Sequence, residues 1–208
     1  MTAALRIVLA THNAGKVREL AEPLAHAGVE VLGLAAFPEI GEIDEYGLTF
    51  EENARIKAET VARHTGLVSV ADDSGLEVDA LDGAPGVHSA RYADDWPLLP
   101  GESRDARNMR KLLHALAAVP EARRACRYVC CMTAVTPDGR SLTTRGTWEG
   151  RLLAEQRGSN GFGYDPLFFD PTLGLTAAQM TPEQKNARSH RGKALRALLE
   201  GWAAFVRA

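Results

Sequence analysis

This chain is short of several features that would place it at once. Of its 208 residues only three are cysteines. Cys126, Cys130 and Cys131 fall in one stretch and show no Cys-x-x-Cys spacing. An odd, clustered set makes a poor disulfide framework and fits a reducing compartment. Residues 126–135 read as a strand through the core, so a buried structural role is expected for all three. No apolar run approaches the roughly 18 residues that a bilayer span needs. The first ten residues lack the basic-then-apolar layout of a secretory leader. The expectation is therefore a soluble, cytoplasmic protein with no membrane partner. Nor is there an excess of positive charge. With a formal net charge of −3, affinity for a nucleic-acid backbone is not expected, although a local basic pocket for a small anion remains open. No internal repeat, low-complexity segment or long linker interrupts the sequence, and residues 1–208 read as a single domain.

What is present is an alternation of strand and helix signals. Residues 6–10 form a short apolar run, and from Ala14 the apolar positions Val17, Leu20, Ala21 and Leu24 follow helical spacing. Pro23 within that stretch is a potential kink. A strand at 29–34 follows. Thr49-Phe50-Glu51-Glu52 has capping-box spacing and predicts a helix over about 50–64, closed by Gly66. Residues 67–71 then return as a strand, and a loop rich in glycine and acid is expected over 72–86. A helix over about 104–118 precedes strands at 127–136 and 141–148, which flank the turn Pro137-Asp138-Gly139. After a glycine-rich loop at 158–163, a last helix carries Leu195, Leu198, Leu199, Trp202 and Val206 on one stripe. The pattern is that of a mixed α/β fold.

Five segments can carry chemistry. Thr11-His12-Asn13-Ala14-Gly15-Lys16 joins the first strand to the first helix, where backbone N–H groups, the helix dipole and Lys16 can hold an anion. It is no P-loop, because Ala10 and Val17 stand where that motif needs glycine and Ser or Thr. A plain helix cap with a solvated lysine is the alternative. Asp44-Glu45 and Asp72-Asp73 are acidic pairs of the kind that Mg²⁺ requires, or of which one member takes a proton from an attacking water. Both pairs can equally be solvated turns. Asn53 and Lys57 share a helix face four residues apart. In Gly161-Phe162-Gly163-Tyr164-Asp165, Phe162 can stack on a base while Asp165 bonds to its edge. Lys185 and Ser189-His190-Arg191-Gly192-Lys193, just before the last helix, can bind phosphate or a purine oxygen.

Each segment is weak alone; their order is specific. Thr11-x-Asn13-x-x-Lys16, Gly47-x-Thr49-Phe50-x-x-Asn53-Ala54-x-x-Lys57-Ala58 and Ala71-Asp72-Asp73-Ser74-Gly75-Leu76 resemble the inosine triphosphate pyrophosphatase family. So do Gly83-Ala84-Pro85-Gly86-Val87-x-Ser89-Ala90-Arg91-Tyr92, Gly161-Phe162-Gly163-Tyr164-Asp165-Pro166 and Ser189-His190-Arg191-Gly192. The likeness runs from about Ile7 to Leu199 and is strongest to the bacterial branch, which acts on xanthosine and deoxyinosine triphosphates.

The resemblance implies a long central sheet flanked by helices, two lobes with the active site in a cleft between them, a homodimer, and Mg²⁺ as cofactor. It implies hydrolysis of non-canonical purine nucleoside triphosphates (dITP, ITP, XTP) to a monophosphate and pyrophosphate. By position, Thr11, His12, Asn13, Ala14, Gly15 and Lys16 contact the triphosphate and Lys57 approaches it. Asp73 is the proton acceptor and a metal ligand, and Ser74 contacts substrate. Phe162, Gly163, Tyr164 and Asp165 form part of the base pocket, with Lys185, His190 and Arg191 reading the purine. One departure stands out. Where relatives often carry two glutamates, this chain has Asp44-Glu45, so either Asp44 or Glu45 is the second metal ligand. The rival readings are a pyrophosphatase for modified pyrimidines and a nucleotide-binding regulator without turnover.

Overall fold

The computed structural model describes residues 5–26 and 28–207. Seven strands form one sheet in the order β2-β1-β3-β4-β5-β6-β7. They span Leu5–Leu9 (β1), Val29–Gly33 (β2), Val68–Val78 (β3), Ala125–Val135 (β4), Ser141–Leu152 (β5), Phe168–Asp170 (β6) and Leu175–Thr176 (β7). The helices are Ala14–His26 (α1), Phe50–Thr65 (α2), Arg104–Ala115 (α3), Pro182–Arg188 (α4) and His190–Arg207 (α5). β1 runs parallel to β2 and β3, whereas β5–β6 and β6–β7 are antiparallel. The sheet is mixed and flanked by helices, as expected.

Packing divides the chain into two units. The first takes in the chain up to Asp73, Cys130–Gly146 and the residues from Arg191 onward. Its central strands β1, β3 and β4 carry consecutive buried residues, the signature of a sheet covered on both sides. Ile7, Leu9, Val68, Val70, Cys130 and Met132 pack with Leu20 and Leu24 of α1 and with Leu195, Leu198 and Trp202 of α5. The intervening residues Val8, Ala10, Ala71 and Val135 pack instead with Ala58, Val61 and Ala62 of α2. A period of two along each strand accounts for this division.

The second unit comprises Ser74–Val129 and Thr147–His190. Met109, Leu112 and Leu116 of the α3 segment pack on Leu76, Val78, Tyr128, Trp148, Leu152 and Phe168.

Most sequence expectations for elements hold to within a few residues. The capping box at Thr49 forms, and α2 ends at Gly66. The turn after Thr136 closes with the Gly139 amide bonded to the Thr136 carbonyl at 2.9 Å. All three cysteines are free and buried. α1 continues through Pro23, which lies in its last turn and forgoes a single hydrogen bond there.

The expected loop beginning at Asp72 is the main correction. Residues 72–78 continue β3, whose residues are all buried except Ser74 and Glu77, which are half-buried. Aspartate is a poor strand former, but Asp72 and Asp73 each meet cations or donors on the face they enter, and those tertiary partners override local preference. The last basic segment is also displaced. Lys185 belongs to the short helix α4, and His190 and Arg191 lie in the first turn of α5 rather than before it.

Candidate active site

Because β3 continues through them, Asp72 and Asp73 point to opposite faces of the sheet. Asp72 follows Val68 and Val70 toward α1 and α5. Its Oδ2 lies 3.0 Å from Lys16 Nζ and 3.2 Å from Arg191 Nε. Arg191 also pairs with Glu19 of α1. Burial alone would push the Asp72 carboxyl up, but Lys16, Arg191 and Lys57 outweigh it and hold the group far below the usual carboxylate range. It is a fixed anion.

Asp73 follows Ala71 toward α2. There Asn53, Ala54, Lys57 and Ala58 form a buried stripe at helical spacing. Asn53 donates from Nδ2 to Asp73 Oδ2 at 3.2 Å, and Lys57 Nζ lies 3.3 Å from Asp73 Oδ1. Lys57 also pairs with Glu45. The acceptor end of Asn53 takes the Gly47 amide at 2.8 Å. A side chain at Gly47 would put its Cβ 2.7 Å from Asn53 Oδ1, so only glycine lets the loop approach this closely.

Burial pushes the Asp73 carboxyl up; Lys57 and Lys16 pull it down, but the negative charges of Glu45 and Asp72 add to the rise, which prevails. Burial opposes the charge on Lys57, yet Asp73, Asp72 and Glu45 more than restore it. The result is an aspartate more basic than usual beside a persistent ammonium, a combination suited to accepting a proton near an anionic substrate.

At the start of α1 Asn13 caps the helix, while Lys16 is paired with Asp72 rather than solvated. Asn13 Oδ1 accepts from the Gly15 amide at 2.8 Å and the Lys16 amide at 3.2 Å, while the Asn13 amide donates to Thr11 Oγ1 at 3.1 Å. His12 is exposed, and the backbone of Ala14 opens the helix. Lys16, tied to Asp72, is the member of this loop that the structure brings to the acidic strand. Of the two candidate metal ligands in the loop before α2, Glu45 reaches Lys57, whereas Asp44 is exposed.

A separate cluster is built in the second unit. Asp165 is buried, and its Oδ2 accepts from the Phe162 amide at 2.9 Å and from Lys185 Nζ at 2.7 Å. Lys185 Nζ lies 4.9 Å from the Phe162 ring centroid. A Cβ at Gly161 would run into the Asp165 carboxylate, so the turn is closed too tightly for any other residue. The Gly163 amide donates to Asp105 Oδ2 at 2.7 Å. Tyr164 is largely a core residue, its hydroxyl donating to the Ser89 carbonyl at 2.8 Å. The His190 ring stacks on Tyr128. Ser74 is half-buried in β3.

Thus Asp73, Lys57 and Glu45 form one group, Lys16, Asp72 and Arg191 another, and Phe162, Asp165 and Lys185 a third. Arg191, expected beside the purine, is held by Asp72 and Glu19. Sequence reasoning did not single out Glu19, Asp105 or Tyr128 as site residues. Glu19 had a usable signal, since it shares a face of α1 with Lys16 three residues earlier; Tyr128, inside an apolar strand, had almost none.

A model of the Ham1 family matches residues 7–201. A dITP/XTP pyrophosphatase from Nitratidesulfovibrio vulgaris is 63% identical over 201 residues, covering 97% of each chain. One from Thioalkalivibrio sulfidiphilus is 52% identical, with 94% of this chain and 97% of that protein aligned. Among solved structures, a HAM1 protein from Coxiella burnetii superposes with a TM-score of 0.85 at 40% identity, covering 96% of this chain and 99% of that one. The chain belongs to the Ham1 family, the inosine triphosphate pyrophosphatase family that its ordered motifs resemble.

Proposed function

We propose that this chain is a non-canonical purine nucleoside triphosphate pyrophosphatase, with residues 1–208 acting as one catalytic domain. It takes dITP, ITP or XTP and water to the nucleoside monophosphate and pyrophosphate. The observation that carries the reading is the placement of Asp73, its carboxyl raised, between Lys57 and Asn53 on the α2 face of β3. The names of the 63% and 52% identical relatives support the substrate class.

In this reading Asp73 orients a water and takes its proton as the water oxygen bonds to the α-phosphorus. The bond from that phosphorus to the bridging oxygen breaks, and the electron pair leaves with pyrophosphate. Lys57 and Lys16 offset the negative charge of the phosphates, a preorganised electrostatic contribution. Thr11, His12, Asn13, Ala14 and Gly15 flank the phosphates, and Ser74 contacts substrate. Phe162, Gly163, Tyr164, Asp165, Lys185 and His190 surround the base, and Arg191 acts through Asp72.

The residues suit a hard divalent cation. Asp73 and Glu45 supply carboxylate oxygens on either side of Lys57, and among the described residues no group of three or more His, Cys, Asp or Glu is arranged to hold a metal. One or two carboxylates, completed by substrate phosphates, is the usual protein contribution to Mg²⁺. Asp73 and one carboxylate of the Asp44-Glu45 pair are the proposed ligands, and of that pair Glu45 is the one that meets Lys57. Bound there, Mg²⁺ would neutralise charge on the phosphate oxygens and the leaving group.

Selectivity follows from donors near the base: Lys185 and His190 match the 6-oxo group of hypoxanthine or xanthine and leave donors unpaired against adenine. A cytoplasmic homodimer is part of the proposal, on the strength of the family resemblance. Among the described residues no helix is long and apolar enough to cross a membrane.

The test is product analysis of purified protein with Mg²⁺ and dITP, XTP and dGTP. Monophosphate and pyrophosphate from the first two, little from the third, and no turnover with EDTA or in Asp73→Asn are expected. Diphosphate and orthophosphate would place the cleavage elsewhere, and nucleotide binding without turnover would make the protein a regulator.

A further inference from the structure

Tyr128 stands outside the motifs, yet it touches two residues that belong to them. It lies in β4 within the second unit and is 7% exposed. Its ring stacks on the His190 imidazole, with centroids 4.7 Å apart and planes 15° from parallel. It also packs on Phe168 at 4.5 Å. Its hydroxyl donates to Asp165 Oδ1 at 3.2 Å. The other oxygen of Asp165 takes the Phe162 amide and the Lys185 ammonium.

We infer that Tyr128 is a positioning residue for base selectivity, its ring setting the plane of His190 and its hydroxyl setting Asp165 and through it Lys185. This rests on the reading that His190 and Lys185 meet the purine. A carboxylate turns easily about its last torsion, a broad two-fold well. With donors on both oxygens that rotation is stopped, and Lys185 inherits a defined position. A stacked imidazole likewise cannot turn without losing ring contact.

Fixed donors matter because discrimination against a 6-amino purine depends on groups left unpaired. A lysine free to swing away finds water instead, and the penalty shrinks. Tyr128 therefore acts on the ratio between substrates more than on the chemical step.

Tyr128→Phe keeps the ring and deletes one hydroxyl, so it isolates the tether. The ratio of kcat/KM for dITP to that for dATP should fall about tenfold, the scale of one hydrogen bond to a charged group. The kcat for dITP should stay near the parent value. On a Lys185→Met background the same change should add little, because the two act in series. A merely structural role lowers both substrates together with the melting temperature and leaves the ratio intact, which would overturn the inference. So would additive effects in the double variant. If the phenylalanine variant does not accumulate folded, Tyr128→Leu is compared in the same way and must also lose the ratio. A parent enzyme with no preference for dITP over dATP overturns the functional reading and this inference with it; a preference that survives Tyr128→Phe overturns the inference alone.

Discussion

Two adjacent aspartates have unlike environments because a strand turns consecutive side chains to opposite faces. Asp72 is a buried counter-ion for Lys16 and Arg191, whereas Asp73 meets Asn53 and Lys57. Replacing Asp72 by Leu leaves two cations buried without their shared carboxylate, although Arg191 keeps Glu19. Breaking such a pair from one side costs about 3–5 kcal/mol, and a urea unfolding curve should show a loss of that size. Asn53 is fully buried and uses its donor for Asp73 and its acceptor for Gly47. Asn53→Leu removes both, so Asp73 loses a fixed orientation and the loop bearing Glu45 loses an anchor. Steady-state kinetics on dITP should show kcat lower by about 100-fold, as small misplacements of catalytic groups do, with KM changed much less.

Elements in this chain are held at their ends by polar side chains. Thr49 and Glu52 cap α2 reciprocally, which fixes where the stripe carrying Asn53 and Lys57 begins. Thr181 and Gln184 do the same for α4, which carries Lys185. The far end of α4 is tied to β6: Arg188 Nε lies 2.6 Å from Asp170 Oδ2, which also accepts from Trp148 Nε1 at 2.9 Å. Burial pushes the Asp170 carboxyl up, but Arg188, Trp148 and the amides of Thr172 and Leu173 outweigh it and hold it below the usual value. A carboxylate with a folded pKa under its unfolded value of about 3.9 contributes its full stability above that pH and loses it as the pH falls through the folded value. Urea midpoints measured between pH 6 and pH 3 should therefore fall less in Asp170→Asn than in the parent, whose unfolded chain takes up a proton at Asp170 before the folded protein does.

At the scale of the whole molecule, apolar strands place the cysteines where reagents do not reach. Cys126, Cys130 and Cys131 are each no more than 1% exposed. Burial pushes all three thiols up, Cys131 to about 11 and the other two further, so little thiolate exists near neutral pH. A disulfide reagent should titrate essentially no thiol in the native protein and three after denaturation in urea. Fast labelling of one thiol without unfolding would contradict this packing.

The sequence determined much of this architecture by itself. Apolar runs marked β1 and β4, helical spacing marked α1 and the stripe of α5, and the Thr49 and Gly66 signals bounded α2 closely, because these are local effects of periodicity and capping. The ordered motifs also pointed to Asp73, Lys57 and Lys16. Tertiary structure alone decided that residues 72–78 are strand, since the Asp72 and Asp73 partners come from α1, α2 and α5, far away in the chain. It decided that Glu45 rather than Asp44 turns to Lys57, and that Tyr128 reaches His190 and Asp165, 37 residues distant in the latter case. A single chain records what each residue prefers locally; which charges and rings meet depends on packing between segments, and no local spacing encodes it.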